Sequence, residues 1–160
     1  MPEKEKLTIV LFSGELDRAL AAFMLATTGA SMGMDVTMFF TFWGLNALKR
    51  KEGRIKSKGL MRKMLNWMNR GGSNRLRLTH FNMLGLGPWM IGKLQKDIHI
   101  PSIDEFITMA EQMGVKMMPC TTSCGLMGVD EDAFRSEAGG MAGAAYFLNE
   151  ARQSKVSLFI

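Results

Sequence analysis

Two hydrophobic periods alternate along the first 44 residues. The run LTIVLFS (7–13) is continuously apolar and rich in β-forming residues, which is typical of a strand buried in a parallel sheet. Residues 14–33 instead repeat their apolar positions at a helical period, and we expect that helix to end at Gly33. A second buried strand is predicted over 34–44. Strand, helix and strand in this order predict a βαβ unit with parallel pairing and a right-handed crossover.

A second unit of the same kind closes the chain. Ser102 followed by Glu105 is a capping-box pattern, which predicts a helix over 102–114 before a strand over 115–119. The remaining predicted elements are a helix that begins in VDEDAFRSE (129–137), a helix over 141–153 and a strand over 155–160. This alternation predicts an α/β fold with three layers, α/β/α, around a mostly parallel sheet.

The middle of the chain, about residues 45–100, does not follow the alternation. We expect it to be an irregular or helical insertion within a single α/β domain that spans residues 1–160. Residues 59–70 place their apolar side chains on one face and basic side chains off it, which predicts a basic amphipathic helix. Residues 78–95 indicate an irregular apolar stretch or a short helical hairpin.

The positive charge of the protein is concentrated in this middle segment. Eleven basic residues and one acid lie between Lys49 and Arg77, a net charge of +10. The rest of the chain has nine basic and fourteen acidic residues, a net charge of −5. Such a segment could meet an anionic membrane surface, an acidic partner or an anionic small molecule, or could simply be a solvated face. No nucleic-acid motif accompanies it, and we therefore expect no nucleic-acid partner.

The composition and the first residues of the sequence indicate the cellular compartment and whether the cysteines are expected to form a disulfide. Methionine accounts for 16 of 160 residues, which is typical of a Met-rich core or oligomer interface. The first residues, MPEKEK, are charged, and the apolar run that follows is too short for a signal peptide. No stretch reaches the length of a membrane-spanning helix. We therefore expect a cytoplasmic protein, in which thiols stay reduced and a permanent disulfide is not expected.

The stretch MPCTTSCGLMGV (118–129) holds the only two cysteines, Cys120 and Cys124. Cys120 comes at the carboxyl end of a predicted strand, which is the edge where ligands gather in open α/β sheets. Amides and hydroxyls in the turn that follows can stabilise a thiolate or a persulfide. The candidate groups belong to Thr121, Thr122, Ser123 and Gly125. The alternative is that both cysteines are inert and buried.

The spacing of the two cysteines leaves further roles open. If residues 120–124 are helical, both sulfurs lie on one face, so Cys124 could form a transient disulfide with Cys120 or release its sulfur by thiol exchange. Metal binding is weakly supported, because His80 and His99 lie far from the cysteines without a ligand spacing. We expect neither a metal nor an organic cofactor.

A third candidate region is the strand-to-helix turn FSGELDRA (12–19). It lacks the G-x-G-x-x-G fingerprint of dinucleotide sites. Because the first strand ends at the same edge of the sheet, Ser13, Gly14 and Asp17 are candidates to line one crevice with Cys120. The alternative for Asp17 is a favourable charge at a helix N-terminus.

Two of these stretches resemble the DsrE/DsrF-like family of sulfur-handling proteins. Residues 7–45 are similar to the family's opening strand, helix and second strand. Residues 114–129 are similar to its strand and following cysteine motif, with matches at Cys120, Ser123, Met127 and Gly128. The resemblance covers residues 1–45 and 102–160, and the middle matches loosely. Some relatives carry membrane-associated segments there that this chain lacks.

The resemblance implies a flavodoxin-like (DsrEFH-like) α/β/α fold and homo-oligomers, often trimers or hexamers. It implies sulfur relay, in which Cys120 accepts sulfane sulfur as a persulfide and passes it to rhodanese-type or TusA-like carriers. Cys124 stands where many relatives have Met, so no role is carried over to it. Fold and family alone do not settle function.

Three hypotheses follow from the sequence. The first is a cytoplasmic sulfurtransferase or sulfur carrier that uses Cys120 without a cofactor. The second is a non-catalytic adaptor whose basic, Met-rich segment binds a partner protein or the periphery of a membrane. The third is a thiol-disulfide switch between Cys120 and Cys124.

Overall fold

The computed structural model of the chain describes residues 4–50, 59–69 and 71–160. Its strands are β1 (Lys6–Leu11), β2 (Asp35–Phe40), β3 (Lys116–Pro119) and β4 (Val156–Phe159). Its α-helices are α1 (Leu16–Ser31), α2 (Leu45–Leu48), α3 (Leu60–Met68), α4 (Leu86–Asp97), α5 (Ile103–Gln112), α6 (Thr121–Met127) and α7 (Ala144–Ala151). Short 3-10 turns span Phe42–Gly44, Ser73–Arg75, Met83–Gly85 and Glu131–Ala133.

The four strands form one parallel sheet in the order β3-β2-β1-β4. The register of β1 with β2 runs from Lys6 opposite Asp35 to Leu11 opposite Phe40. The chain therefore moves outward from β1 to β3 and returns to the other side of β1 for β4. Both predicted βαβ units and the parallel α/β sheet are confirmed.

One face of the sheet carries the main core. Alternate residues of the strands are fully buried there, since side chains of a strand point to opposite faces in turn. They include Leu7, Ile9, Leu11, Val36, Met38, Phe40 and Met117. Helices α1 and α5 cover this face and pack against each other. The predicted capping box fixes the start of α5, because the Ser102 hydroxyl accepts the Glu105 amide and the Glu105 carboxylate accepts the Ser102 amide.

The opposite face has a smaller apolar cluster. Phe39 is buried there with Cys120 and Ala142. The ring of Phe39 stacks on that of Phe147 in α7, with 5.2 Å between centroids. Helix α7 therefore supplies the third layer, and the three-layer α/β/α architecture is confirmed.

The second predicted strand ends earlier than the sequence indicates. β2 stops at Phe40 rather than at Gly44, because the chain turns there and the Gly44 amide donates to the Phe12 carbonyl. A side chain at Gly44 would collide with the carbonyl oxygen of Leu11, so this close crossing requires glycine. The predicted continuation of the strand to residue 44 is therefore wrong.

The helix predicted from residue 129 onward is also wrong. Only a 3-10 turn, Glu131–Ala133, forms in that stretch. The backbone there instead bonds to the end of α2 and the residues that follow it: the Arg50 amide donates to the Ala133 carbonyl, and the Arg135 amide donates to the Leu48 carbonyl. These tertiary hydrogen bonds override the helical signal of the acidic residues.

The described part of the insertion combines short helices with irregular segments. The predicted basic amphipathic helix is α3. The stretch 78–95, predicted as irregular or as a short helical hairpin, begins irregularly and continues as a 3-10 turn followed by α4. The Ser73 hydroxyl donates to the Asp104 carboxylate at 2.6 Å and so connects the insertion to α5. No helix among the described residues is both long enough and apolar enough to cross a membrane.

Candidate functional site

Cys120 lies at the junction between β3 and α6. Its amide donates to the Phe40 carbonyl at 2.8 Å and so extends the pairing of β3 with β2. Its own carbonyl accepts the Cys124 amide at 3.0 Å, which is the first hydrogen bond of α6. Cys120 has extended backbone angles and is the N-cap of α6. The structure therefore places this thiol at the carboxyl edge of the sheet, as its sequence position indicates.

Hydrogen-bond donors converge on the sulfur of Cys120. Burial raises the pKa of this thiol, but hydrogen bonds from the Ser123 amide and hydroxyl, the Thr41 hydroxyl and the Thr122 amide outweigh burial and lower the pKa below its usual value. The hydroxyl oxygens of Thr41 and Ser123 also lie 2.8 Å apart. Thr41 follows β2 and was missed by the sequence analysis, because no local pattern connects it to Cys120.

The other candidate donors of this turn contribute differently. The amide of Thr121 donates to the Ala142 carbonyl at 3.0 Å and is therefore occupied. The hydroxyl-bearing side chain of Thr122 and the backbone of Gly125 are exposed on α6. Of the four candidates, Ser123 contributes both an amide and a buried hydroxyl, and Thr122 contributes its amide.

A covering segment, residues 139–142, lies over Cys120. Its backbone bonds along β3, with the Gly139 amide donating to Met117 and the Ala142 amide donating to Pro119. Together with Phe39 and Phe147 this segment leaves Cys120 only 5% exposed. The thiol is therefore almost completely covered by these apolar neighbours.

Cys124 lies one helical turn further along, in the main core. It is 2% exposed, whereas Cys120 packs in the smaller cluster on the other face. Burial raises the pKa of Cys124 to about 11; nearby Cys120 and Asp130 act in the same direction and Lys49 opposes them. Both thiols are free. Cys120 is the N-cap of α6, Cys124 lies within that helix, and the two side chains pack in different apolar clusters.

Two of the candidate residues in the turn after β1 line a cavity of their own. Ser13 and Gly14 line a cavity of about 880 Å³ together with residues of α3 and the segment 72–78, and its described lining does not include Cys120. The Ser13 hydroxyl donates to the Glu15 carboxylate at 2.9 Å. Asp17 instead accepts hydrogen bonds from the amide and hydroxyl of Thr79, at 3.2 and 3.0 Å. Asp17 therefore anchors the insertion beside the start of α1.

The two histidines do not join the cysteines. His80 and His99 are both exposed on the insertion. Across the part of the chain that the structure describes, no three His, Cys, Asp or Glu residues are grouped so as to hold a metal ion.

Comparison with known proteins identifies the family of this chain. The model of the DsrE/DsrF/DrsH-like family matches residues 3–159 of the chain. The chain belongs to this family. A relative of the chain, the uncharacterized protein YrkE of Bacillus subtilis, is 37% identical over 158 residues, covering 99% of this chain and 98% of that protein.

A second relative has a functional name. The sulfur carrier protein DsrE2 of Allochromatium vinosum is 31% identical over 166 residues, covering 99% of both chains. Among solved structures, the ychN protein of E. coli superposes with a TM-score of 0.61 over 98% of this chain and 99% of that one, at 10% identity. This likeness confirms the DsrEFH-like fold that the sequence resemblance implies.

Proposed function

We propose that this protein is a sulfur carrier in which Cys120 accepts a sulfane sulfur as a persulfide and passes it to a partner thiol. The observation that carries the proposal is the set of donors from Thr41, Thr122 and Ser123 on the Cys120 sulfur, which favours its anionic form. The thiolate is the nucleophilic form of cysteine, so this arrangement favours attack on a sulfur donor. Membership of a family that includes a named sulfur carrier supports the same function.

The reaction balances without a cofactor or an oxidant. The Cys120 thiolate attacks the sulfane sulfur of the donor, and the bond between that sulfur and the donor breaks. The donor leaves as its anion, which is sulfite for thiosulfate and a thiolate for a donor persulfide. An acceptor thiolate then attacks the terminal sulfur, and the Cys120 thiolate leaves. The same hydrogen bonds stabilise Cys120 as nucleophile and as leaving group.

Intact mass spectrometry tests this function. After incubation with polysulfide, or with thiosulfate and a rhodanese, the protein should gain about 32 Da for each sulfur atom bound. Cys120→Ala should abolish the gain, whereas the matched variant Cys124→Ala should still take up one sulfur. Uptake that persists at wild-type level in Cys120→Ala would exclude Cys120 as the acceptor.

The partners that fit this chemistry are thiol carriers of the rhodanese or TusA-like type, in a reducing compartment such as the cytoplasm.

Assembly into homo-oligomers, trimers or hexamers, is part of the proposal. It is supported by the exposed aromatic edge of the sheet, where Phe159 of β4 is 72% exposed and stacks against Phe12 with 5.9 Å between centroids. Light scattering coupled to size exclusion measures the assembly, and a monomer at micromolar concentration would contradict it.

A second candidate function, an adaptor that binds a partner protein or a membrane periphery, is favoured by α3. Its apolar side chains face outward: Leu60 and Met61 are 84% and 81% exposed, and Trp67 is 69% exposed. Arg62 and Lys63 lie on the same short helix, as in helices that bind anionic interfaces.

Vesicle sedimentation separates this candidate from sulfur relay. If α3 binds membranes, wild-type protein should pellet with vesicles that contain phosphatidylglycerol, and the double variant Leu60→Gln, Met61→Gln should not. Sulfur uptake should be equal in the two proteins. Failure to pellet with such vesicles would remove the membrane as the target of α3.

A further inference from the structure

The cavity of about 880 Å³ beside Ser13 and Gly14 lies at the carboxyl end of β1. The turn after β1 forms one wall, α3 forms another, and the segment 72–78 lies between them. The sheet order β3-β2-β1-β4 changes direction beside β1, since the chain runs from β1 to β3 on one side and adds β4 on the other. In open parallel sheets, ligands bind outside the carboxyl ends of the strands at such a point. The cavity therefore lies where a fold of this kind binds small molecules, and its size suits an organic ligand.

The walls of this cavity are joined by backbone hydrogen bonds. The Leu16 amide at the start of α1 donates to the Arg77 carbonyl at 2.7 Å, and the Gly72 amide donates to the Asn46 carbonyl at 3.0 Å. Leu76 is 5% exposed and packs in the main core, which fixes the segment between them. The cavity is therefore built before any ligand arrives, and a preformed site lowers the entropic cost of binding.

Two arginines of the lining carry charges that no described residue neutralises. Arg75 and Arg77 flank the buried Leu76 and are exposed, and their side chains make no hydrogen bond or ion pair with another described residue. The third arginine of the lining is different, because the Nε of Arg18 lies 2.9 Å from the Glu15 carboxylate. Three arginines and this single acid give the described lining a net charge of +2, which favours an anionic ligand.

Two tryptophans line the same cavity. Trp43 follows β2 and is 41% exposed, and Trp67 lies in α3 and is 69% exposed. Neither indole ring stacks on a ring of another described residue. Their faces are therefore open to a planar group of a ligand. Unpaired guanidinium groups and open indole rings around one cavity favour a molecule in which an anion is joined to a planar ring.

We propose that this cavity binds a nucleoside diphosphate. The diphosphate lies on Arg75 and Arg77, because guanidinium groups match the geometry of phosphate oxygens and bind them in pairs. The base packs against Trp43 and Trp67, since nucleobases stack on indole rings. Side chains bind the phosphates in place of a glycine-rich loop, and the first amide of α1 is already occupied by a backbone carbonyl. Binding is non-covalent, and the sulfur chemistry of the proposed function does not require it.

Isothermal titration calorimetry with ADP tests the proposal. At about 0.15 M salt, where attraction to the basic surface as a whole is screened, we expect a Kd below about 1 mM. Pyrophosphate supplies the anion alone and adenosine supplies the ring alone, so each should bind at least about tenfold more weakly. Tryptophan emission is a second readout, because in a Trp89→Phe background the emission comes from Trp43 and Trp67.

Three variants locate the binding site. The double variant Arg75→Gln, Arg77→Gln should raise the Kd of ADP at least about tenfold. Its matched control is Lys93→Gln, Lys96→Gln, which removes two exposed positive charges from α4 outside the lining of this cavity and should change the Kd less than about twofold. Trp67→Leu, at an exposed position, should weaken the binding of ADP severalfold and leave that of pyrophosphate unchanged.

The outcomes distinguish this inference from the sulfur-carrier function. Absence of heat and of a change in tryptophan emission at about 5 mM ADP would overturn the proposal. Equal Kd values for pyrophosphate and ADP would overturn the role of the tryptophans. An equal loss of affinity in the two double variants would show that ADP follows the overall charge and would overturn the site. Arg75→Gln, Arg77→Gln should melt at the wild-type temperature and take up sulfur on Cys120 as the wild type does, because both side chains are exposed and lie outside the surroundings of that thiol.

Discussion

The hydroxyl oxygens of Thr41 and Ser123 lie 2.8 Å apart and both face the sulfur of Cys120. Thr41 follows β2 and Ser123 lies in α6, so 82 positions of sequence separate them. Each hydroxyl has one proton, so one of the two donates to the other and the accepting hydroxyl keeps its proton for the sulfur. Their mutual hydrogen bond thus orients and polarises a donor for an anion that forms at Cys120. Under the proposed function, the reactivity of this cysteine depends on a contact between the end of β2 and α6 and not on the cysteine motif alone.

Thr41→Val should raise the pKa of Cys120. The substitution keeps the shape of the side chain and removes a hydroxyl whose hydrogen bond lowers the pKa of Cys120. Near pH 7 the rate of alkylation should fall about threefold, because a smaller thiolate fraction is partly offset by greater nucleophilicity. The measurement is the pH dependence of iodoacetamide labelling in a Cys124→Ala background, in which Cys120 is the thiol that reacts.

Thr122→Ala is the matched control for that experiment. The side chain of Thr122 is exposed, and its contribution to Cys120 comes from the backbone amide. Its labelling profile should therefore superpose on that of the parent protein. A Thr41→Val profile that also superposes would show that the hydroxyl does not stabilise the thiolate.

Phe147→Ala should make Cys120 more accessible and lower its pKa further. Phe147 packs on Phe39 and belongs to the cluster that covers the thiol, but it donates no hydrogen bond to the sulfur. Removing the ring opens the cover, so the labelling rate should rise severalfold, and because burial raises the pKa of Cys120, the midpoint of the profile should move to lower pH. Tyr146→Ala, a change at the neighbouring position of α7, should leave both the rate and the midpoint unchanged. A midpoint that moves to higher pH in Phe147→Ala would contradict the role of the ring as a cover.

Ser102→Ala should lower the free energy of unfolding by about 1 kcal/mol, which is typical for loss of an N-cap. The Ser102 hydroxyl accepts the Glu105 amide, and without it a donor at the start of α5 lacks its partner. Urea unfolding followed by circular dichroism measures the change. Thr108→Ala is the control within the same helix, since its hydroxyl bonds only to the preceding turn at Asp104. An equal free energy of unfolding for Ser102→Ala and the parent protein would show that the capping box does not stabilise the fold.

Local patterns were sufficient to predict the layered sheet and the position of Cys120. The apolar runs of β1 and β2, and the capping box before α5, each carry their signal within a few residues. The mispredicted helix after residue 129 shows the limit of such patterns, because its backbone bonds to residues 48–50, far away in sequence.

Two features of the structure could not be predicted from local patterns. Thr41 looks like an ordinary residue after a strand, and Lys49 looks like one of eleven basic residues in an exposed segment. Only the fold shows that Lys49 is buried, with Gly71 leaving room for its stem. Long-range contacts of this kind depend on how the insertion packs, and no periodicity in the sequence encodes them.

Burial of Lys49 has a consequence for stability that depends on pH. Burial lowers its pKa from 10.5 to about 8, with Cys124 opposing that shift. The unfolded chain therefore binds more protons at this position than the folded protein between about pH 8 and 10.5. By linkage, the contribution of Lys49 to the free energy of unfolding is unfavourable below pH 8 and recovers as the pH rises through this window. The shift corresponds to a cost of about 3 kcal/mol near pH 7.

Lys49→Met should accordingly stabilise the protein near pH 7, because it keeps the apolar stem and removes a buried charge that has no hydrogen-bond partner. The gain over the wild type should shrink by about 1 kcal/mol between pH 7 and pH 9, as Lys49 in the wild type loses its proton on folding. Urea unfolding at several pH values measures the difference, and a Cys124→Ala background removes the opposing titration of that thiol. A gain independent of pH would show that Lys49 is not desolvated.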